Sequence, residues 1–485
     1  MAGGKVKKGF FFYLLMFLIL IVAFVGVCMT IMLFNPGKSV LGFVYFKNNK
    51  EILVEKTTDS SETAIDFSKD TFSTINVDAG NVDVIVQNND NYKKSGLYII
   101  NNTKGFVKSS DQVEFEYSVE KSGDTLNIKL NSTRGFLNLS NDVKLIIHYG
   151  KIKENKLNST TLNITTTAGS VNIGGAYSAG HSADIYPASV NIETGSGNVS
   201  FTRNATNIYK ELKIKTDSGS VDLTQVVDKI NPDETRNDAL KATTGDINIS
   251  TKSGTIDLKK VASKILLSSE TGTIRATEIS ASTEFKTYSS IIDIVKISGN
   301  VDFSNGSEIM SSCKVYIDEI TGNLNVPQAR DSEFTIKKIS GHVNIHATNG
   351  NISLGTEKDP LSKSVYVETV SGNVSTYLTG SSTRFFKTEK GNISLNYPTE
   401  IRGYTSIETD KGTTNVVFGQ DSAVKFEFRL KNETEDNKFD LGKVSFDILN
   451  GKKLSSNPYY YNSNEGNVKG RVQIVTNSGV NLDLA

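Results

Sequence analysis

From residue 160 onward one short pattern recurs, and nothing else in the chain restricts its fold as much. An alternating strand ends in Thr or Ser, a Gly and a polar residue follow, and a second alternating strand begins. Thr216–Leu223 (TDSGSVDL), Thr251–Leu258 (TKSGTIDL), Ile297–Phe303 (ISGNVDF), Val370–Thr376 (VSGNVST) and Glu389–Leu395 (EKGNISL) are examples. The repeat glycines are Gly197, Gly219, Gly245, Gly254, Gly272, Gly299, Gly322, Gly341, Gly350, Gly372, Gly391, Gly412 and Gly479. Gly254 and Gly272 are 18 residues apart, Gly322 and Gly341 are 19 apart, and Gly245 and Gly254 are 9 apart. A strand-plus-turn unit is therefore near nine residues, and two or three units make one coil, a period found in parallel β-helices.

The physics of the unit agrees. After each Gly, apolar residues fall at every second position: Val221 and Leu223, Ile256 and Leu258, Val301 and Phe303, Val343 and Ile345. In a strand such pairs share one face. One unit cannot bury that face alone, but stacked units make a continuous core. Gly is expected to bend strand into strand through a positive φ. The Asn that often follows it (Asn198, Asn300, Asn323, Asn351, Asn373, Asn392) is expected to hydrogen-bond to the turn amides of the next coil. Roughly ten coils would give a rod near 50 Å long. The expected fold is all-β, a right-handed parallel β-helix or β-solenoid with β caps.

The other strong signal lies at the start. Phe10–Phe34 is an uncharged apolar run of 25 residues. At about 1.5 Å per residue it spans a hydrocarbon core of about 30 Å. A cleavable signal would have a shorter apolar region and a small-residue cleavage site. A lipoprotein reading would use Cys28 after Val25-Gly26-Val27. The uncleaved anchor fits the length best. Lys5, Lys7 and Lys8 before the run, against Lys38, Lys47 and Lys50 after it, favour a cytoplasmic N-terminus by the positive-inside rule.

These signals divide the chain into a tail (1–9), a transmembrane helix (10–34), a stalk (35–70), an N-terminal β cap (71–155), the repeats (156–420) and a C-terminal cap with the last coil (421–485). An antiparallel hairpin is expected around Lys121-Ser122-Gly123-Asp124. The cap is expected to protect the open edge of the first coil.

Charge and chemistry limit the function. Lys plus Arg equals Asp plus Glu at 53 each, and the first 50 residues hold six Lys and no acid. The remainder is mildly acidic, which disfavours nucleic acid as a partner. Cys28 and Cys313 cannot make a disulfide framework. Cys313 reads as a buried small hydrophobe. The His residues are His148, His181, His342 and His346. His342 and His346 alternate outward on one strand without enough ligands for a metal. His181 sits in a loop without a base or nucleophile beside it. There is no G-x-S-x-G elbow with triad members and no phosphate-binding loop. A β-helix polysaccharide enzyme would need acids and bases converging on one face, whereas Asp and Lys are scattered here. No catalytic residue, metal or cofactor is expected. Tyr459, Tyr460 and Tyr461, in the loop NPYYYNSNEG, are the candidate recognition surface; packing over the last coil is the other reading.

Thr165–Ile173 (TTTAGSVNI), Gly195–Phe201 (GSGNVSF), Lys252–Leu258 (KSGTIDL) and the closing QIVTNSGVNLDL resemble the putative-adhesin domain family of bacterial cell-envelope proteins. The resemblance covers roughly residues 70–485. It implies a right-handed β-solenoid on the outer cell surface behind an N-terminal transmembrane helix, and it brings no catalytic residues. Many units here carry Asn, Thr or Ser where the family has Asp, which weakens any shared acidic ion site. The expected function is non-catalytic: adhesion or envelope architecture at the cell membrane, with the lipid bilayer and a surface glycan, envelope component or protein as partners. The alternative is a membrane-bound accessory or sensor protein whose ectodomain binds an envelope component. A carbohydrate-active enzyme is the third class.

Overall fold

The structure, a computed structural model, describes residues 6–35, 38–41, 43–47, 49–65, 67, 70–87, 94–108, 116–131, 137–148, 160–174, 187–201, 207–208, 210–224, 241–242, 246–303, 309–419, 424–429, 444–445, 459–462 and 469–484. One helix, Val6–Phe34, opens the chain. Its stretch Phe11–Phe34 is long and apolar enough to cross a membrane, and most of its side chains are exposed. Every other named element among the described residues is a strand.

Among the described residues the strands form two long sheets, one of 19 strands and one of 20, and one two-stranded parallel pair, Asn207–Ile208 with Lys241–Ala242. The chain alternates between the long sheets. Ile247–Thr251 lies in the 19-stranded sheet, Thr255–Val261 in the other, then Ile265–Ser269 returns to the first and Thr273–Ile279 to the second. Each pass pairs in parallel with the pass before, as Ile247 with Ile265 and Ile256 with Ile274. One rung is thus two strands and two turns, which settles on two units per rung rather than three. At about 4.8 Å per strand the 19-stranded sheet runs for roughly 80 Å, longer than the expected rod because the flanks contribute rungs of their own.

Alternation puts one residue in two between the sheets. Val221, Leu223, Ile256, Leu258, Val301, Phe303, Val343 and Ile345 are all buried. Burial of such a side chain contributes about 2 kcal/mol. Phe285 and Phe303 stack inside at 4.9 Å. On the outside of the 20-stranded sheet, Lys260, Glu278, Lys296, Glu319 and Lys338 occupy one register column with alternating sign. Lys338 and Lys296 reach Glu319 at 3.0 and 3.9 Å. Opposite charges on adjacent rungs favour this neighbour order over a shifted one.

The glycines act differently from the expectation. Among the described repeat glycines only Gly350 has a positive φ. The requirement at the others is space. A Cβ on Gly197, Gly219, Gly254, Gly272, Gly372, Gly391 or Gly412 would collide with the carbonyl oxygen of the turn glycine one rung before, far inside 3.0 Å. The turns stack backbone on backbone, and the missing side chain is what lets them. Where this column breaks, small residues replace Gly: Ser290, Cys313 and Ser332 are all buried there. Gly245 lies outside the described residues. The Thr or Ser before each turn closes it, as Thr194 Oγ1 donating to Gly197 O at 2.7 Å or Thr251 Oγ1 accepting from Gly254 N–H at 2.8 Å. The turn Asn residues behave as expected. Asn300 Oδ1 accepts from Asn323 N–H at 2.9 Å, Asn323 Oδ1 from His342 N–H at 2.8 Å, and Asn373 Oδ1 from Asn392 N–H at 2.9 Å.

Both ends are built out of chain order. The first rung in sequence, Thr74–Asp78 with Asp83–Gln87, lies between the later rungs Thr161–Ile173 and Thr125–His148. The last rung, Gly470–Thr476 with Val480–Leu484, lies between Gly403–Phe418 and the strands Val424–Arg429 and Val444–Ser445. Antiparallel strands then finish the stack. Gly96–Lys108 covers Leu137–His148, and Glu116–Ser122 forms the expected hairpin with Thr125–Asn131. Within 35–70, the expected stalk, two described strands join the sheet edge. Phe43–Lys47 and Lys50–Val54 pair with Gly96–Lys108, because their apolar alternation completes the sheet edge. Tyr45 and Phe106 also pack against Met32 of the helix.

Candidate functional site

The outer face of the 19-stranded sheet carries one register column that runs the length of the stack. At the N-terminal end it is a ladder of amides. Asn76, Asn127, Asn163 and Asn191 sit at the middle of alternating strands whose flanking residues, such as Ile75 and Val77 or Leu162 and Ile164, point into the core. Asn76 Nδ2 donates to Asn127 Oδ1, Asn163 Nδ2 to Asn76 Oδ1, and Asn191 Nδ2 to Asn163 Oδ1, each at 2.8 Å. Asn191 Oδ1, which Lys213 follows in the column, is buried and has no hydrogen-bond partner. Asn127, Asn76 and Asn163 floor a cavity of about 340 Å³ whose lining includes Asp78, Ser118, Glu120, Lys129 and Thr165. An Asn amide has two N–H groups and two acceptor lone pairs. Asn76 and Asn163 spend one of each on the ladder, so each keeps a donor and an acceptor.

Farther along, the same column holds Asn325, Asn344, Tyr366 and Phe385. Asn344 Nδ2 donates to Asn325 Oδ1 at 2.9 Å. Tyr366 and Phe385 stack at 4.9 Å and 17°, and His346 lies 4.9 Å from Tyr366 on another side. The rings thus face one another along the stack and present mainly edges outward. Beside them Lys387 donates to Glu368 at 2.7 Å, and Tyr366 Oη donates to Glu368 at 3.0 Å. The Lys387 hydrogen bond holds the Glu368 carboxyl below its usual range, and burial pushes the Tyr366 hydroxyl up. This cluster stabilises neighbouring rungs and leaves few groups for a ligand.

The other sequence candidates are dispersed. Tyr459–Asn462 is a strand rather than a loop, paired antiparallel with Val424–Arg429 so that Tyr460 stands opposite Glu427. Aromatic residues favour such an edge strand over a loop. His342 is exposed on a turn, and His346 Nδ1 lies 3.6 Å from Glu368. His148 is buried, with Nδ1 3.3 Å from Gln87 O. His181 lies outside the described residues. Among the described residues no three of His, Cys, Asp and Glu gather as a metal site. Burial pushes the Cys313 thiol up. Arg384 is fully buried, and its guanidinium donates to the carbonyls of Thr379, Gly380 and Arg402 beside the Tyr397 ring.

Sequence reasoning missed the amide ladder. Its signal was present as apolar-Asn-apolar triplets in TINVD, TLNIK, TLNIT and SVNIE. Chain order hides their adjacency, because Asn127 stacks on Asn76 from 51 residues away.

No family model and no curated protein matches the chain. Among solved structures, the crystal structure of a "putative cell adhesion protein from Clostridium sporogenes" aligns over 91% of this chain and 100% of that one, at 9% identity and a TM-score of 0.15. A likeness at that score carries no structural argument.

Proposed function

We propose that the chain is a membrane-anchored, non-catalytic β-solenoid of right-handed winding, displayed on the cell surface for adhesion or envelope architecture. The observation that carries this reading is the junction of an exposed apolar helix, Phe11–Phe34, to two sheets whose length is made almost wholly of repeated rungs. An elongated stack distances its far end from a bilayer, and stacked rungs lengthen without a larger core. Right-handed winding follows the strong preference of parallel crossovers. The three Lys before the apolar run support a cytoplasmic N-terminus. The contact of Met32 with Tyr45 and Phe106 favours a second reading, an accessory protein whose ectodomain is coupled to its helix and a membrane partner. Co-purification of a second membrane protein would support that reading.

Protease shaving of intact cells, with mass spectrometry of released and retained fragments, tests the first. Release of peptides from residues 160–485, with 1–34 retained in the membrane, is expected. Protection of the β region until lysis would place it inside and end the adhesion reading.

A further inference from the structure

We propose that the amide ladder of Asn127, Asn76 and Asn163 is a binding trough for an uncharged, unbranched polysaccharide lying along the stack. The proposal rests on the surface-display reading, since it names the ligand class that a displayed chain would hold.

The first observation is the trough itself. A cavity of about 340 Å³ lies over the three amides, with Asp78, Glu120 and Lys129 on its margin. The second is orientation. The amides are fixed by 2.8 Å hydrogen bonds to one another, so their remaining donors and acceptors are preorganised and repeat once per rung.

A repeat of one donor and one acceptor about every 4.8 Å selects among ligands. A hydroxyl both donates and accepts at one atom, and an extended pyranose chain advances close to one rung per sugar. An extended peptide advances only about 3.4 Å per residue, so it falls out of step within three rungs. A polyanion would meet Asp78 and Glu120 against the single Lys129, which disfavours it. Neutral sugars satisfy the row without a charge partner, and the carboxylates can accept from further hydroxyls. Three amides give space for about three sugars, so affinity should rise with oligomer length to that point and then level off.

The test uses the full chain in detergent, titrated with chito- and cello-oligosaccharides of two to eight sugars, with heparin and an unstructured Gly-Ser peptide as comparators. Binding of at least one neutral series, rising with length, supports the proposal. Asn76→Ala and Asn163→Ala should each weaken it about fivefold to tenfold. Asn344→Ala, in the same column outside the trough, should leave it unchanged. Asn163→Thr, which keeps a hydroxyl at the site, is the second variant should the alanine forms unfold, and thermal melting reports folding of each. Four outcomes overturn the proposal: no binding of either neutral series, no dependence on length, an equal loss in Asn344→Ala, or tighter binding of heparin or the peptide. If shaving shows surface display and neither neutral series binds, the ligand class is wrong and the display reading stands. If shaving shows protection, the display reading fails whatever the sugars do.

Discussion

Gly372→Ala should be among the most damaging single substitutions in the chain, although it adds one methyl group. The new Cβ would fall far inside 3.0 Å of Gly350 O, so the turn must retreat by more than an ångström from the rung before it. Two hydrogen bonds beside that contact reach the rung before. Asn373 N–H donates to Asn351 Oδ1 at 3.3 Å, and Asn373 Nδ2 donates to the same oxygen at 3.1 Å. Their loss costs about 1 kcal/mol each, and overpacking adds about 1–3 kcal/mol. The total is about 3–5 kcal/mol. Two comparison variants separate collision from backbone strain. Gly123→Ala has open space but a φ of +58, and should cost about 1–2 kcal/mol. Gly419→Ala meets its nearest atoms at 3.5 Å with no positive φ, and should stay within about 0.5 kcal/mol of the parent. Urea unfolding followed by circular dichroism measures the series. Hydrogen exchange at 365–397 shows whether the loss is local, which matters because repeat stacks can unfold in parts. A Gly372→Ala variant no less stable than Gly123→Ala would refute the stacking argument.

Three further outcomes are expected. Glu368 and Glu319 have carboxyls held low, chiefly by hydrogen bonds from Lys387 and Lys338, whose own ammonium groups are correspondingly raised. A lowered folded pKa stabilises above the ordinary carboxylate range and is lost as pH falls through the folded value. The raised Lys groups contribute until pH climbs past their ordinary range. Melting temperature should therefore be level from about pH 5 to 10 and fall below about pH 4; a maximum near pH 3 would contradict this. Cys313, buried with its thiol pushed up, should resist iodoacetamide in the folded Cys28→Ser variant and react after denaturation, read by intact mass. Arg384→Ala should destabilise by about 3–5 kcal/mol in the same unfolding assay, since it leaves a cavity and frees the carbonyls of Thr379, Gly380 and Arg402.

Much of this molecule was legible in its residues. Alternation after each glycine announced which side chains are inward, and Val221, Ile256 and Val343 are buried as it implied. The uncharged run to Phe34 announced the helix. Such signals are local: strand alternation, turn chemistry and apolar length act within a few residues of chain. The reason for the glycines was not legible, because it lies in a neighbouring rung about 20 residues away. The order of rungs at the two ends was hidden for the same reason. Asn76 and Asn127 meet only because the stack places Thr125–Asn131 outside Thr74–Asp78. The run of Tyr459 to Tyr461 read as a loop until Val424–Arg429 supplied a strand for it to pair with. Periodicity by itself determined a stacked β architecture behind an apolar helix. Only the tertiary structure decided which rungs touch, and hence which Asn side chains form one continuous row, since hydrogen bonds between rungs depend on register and not on distance along the chain.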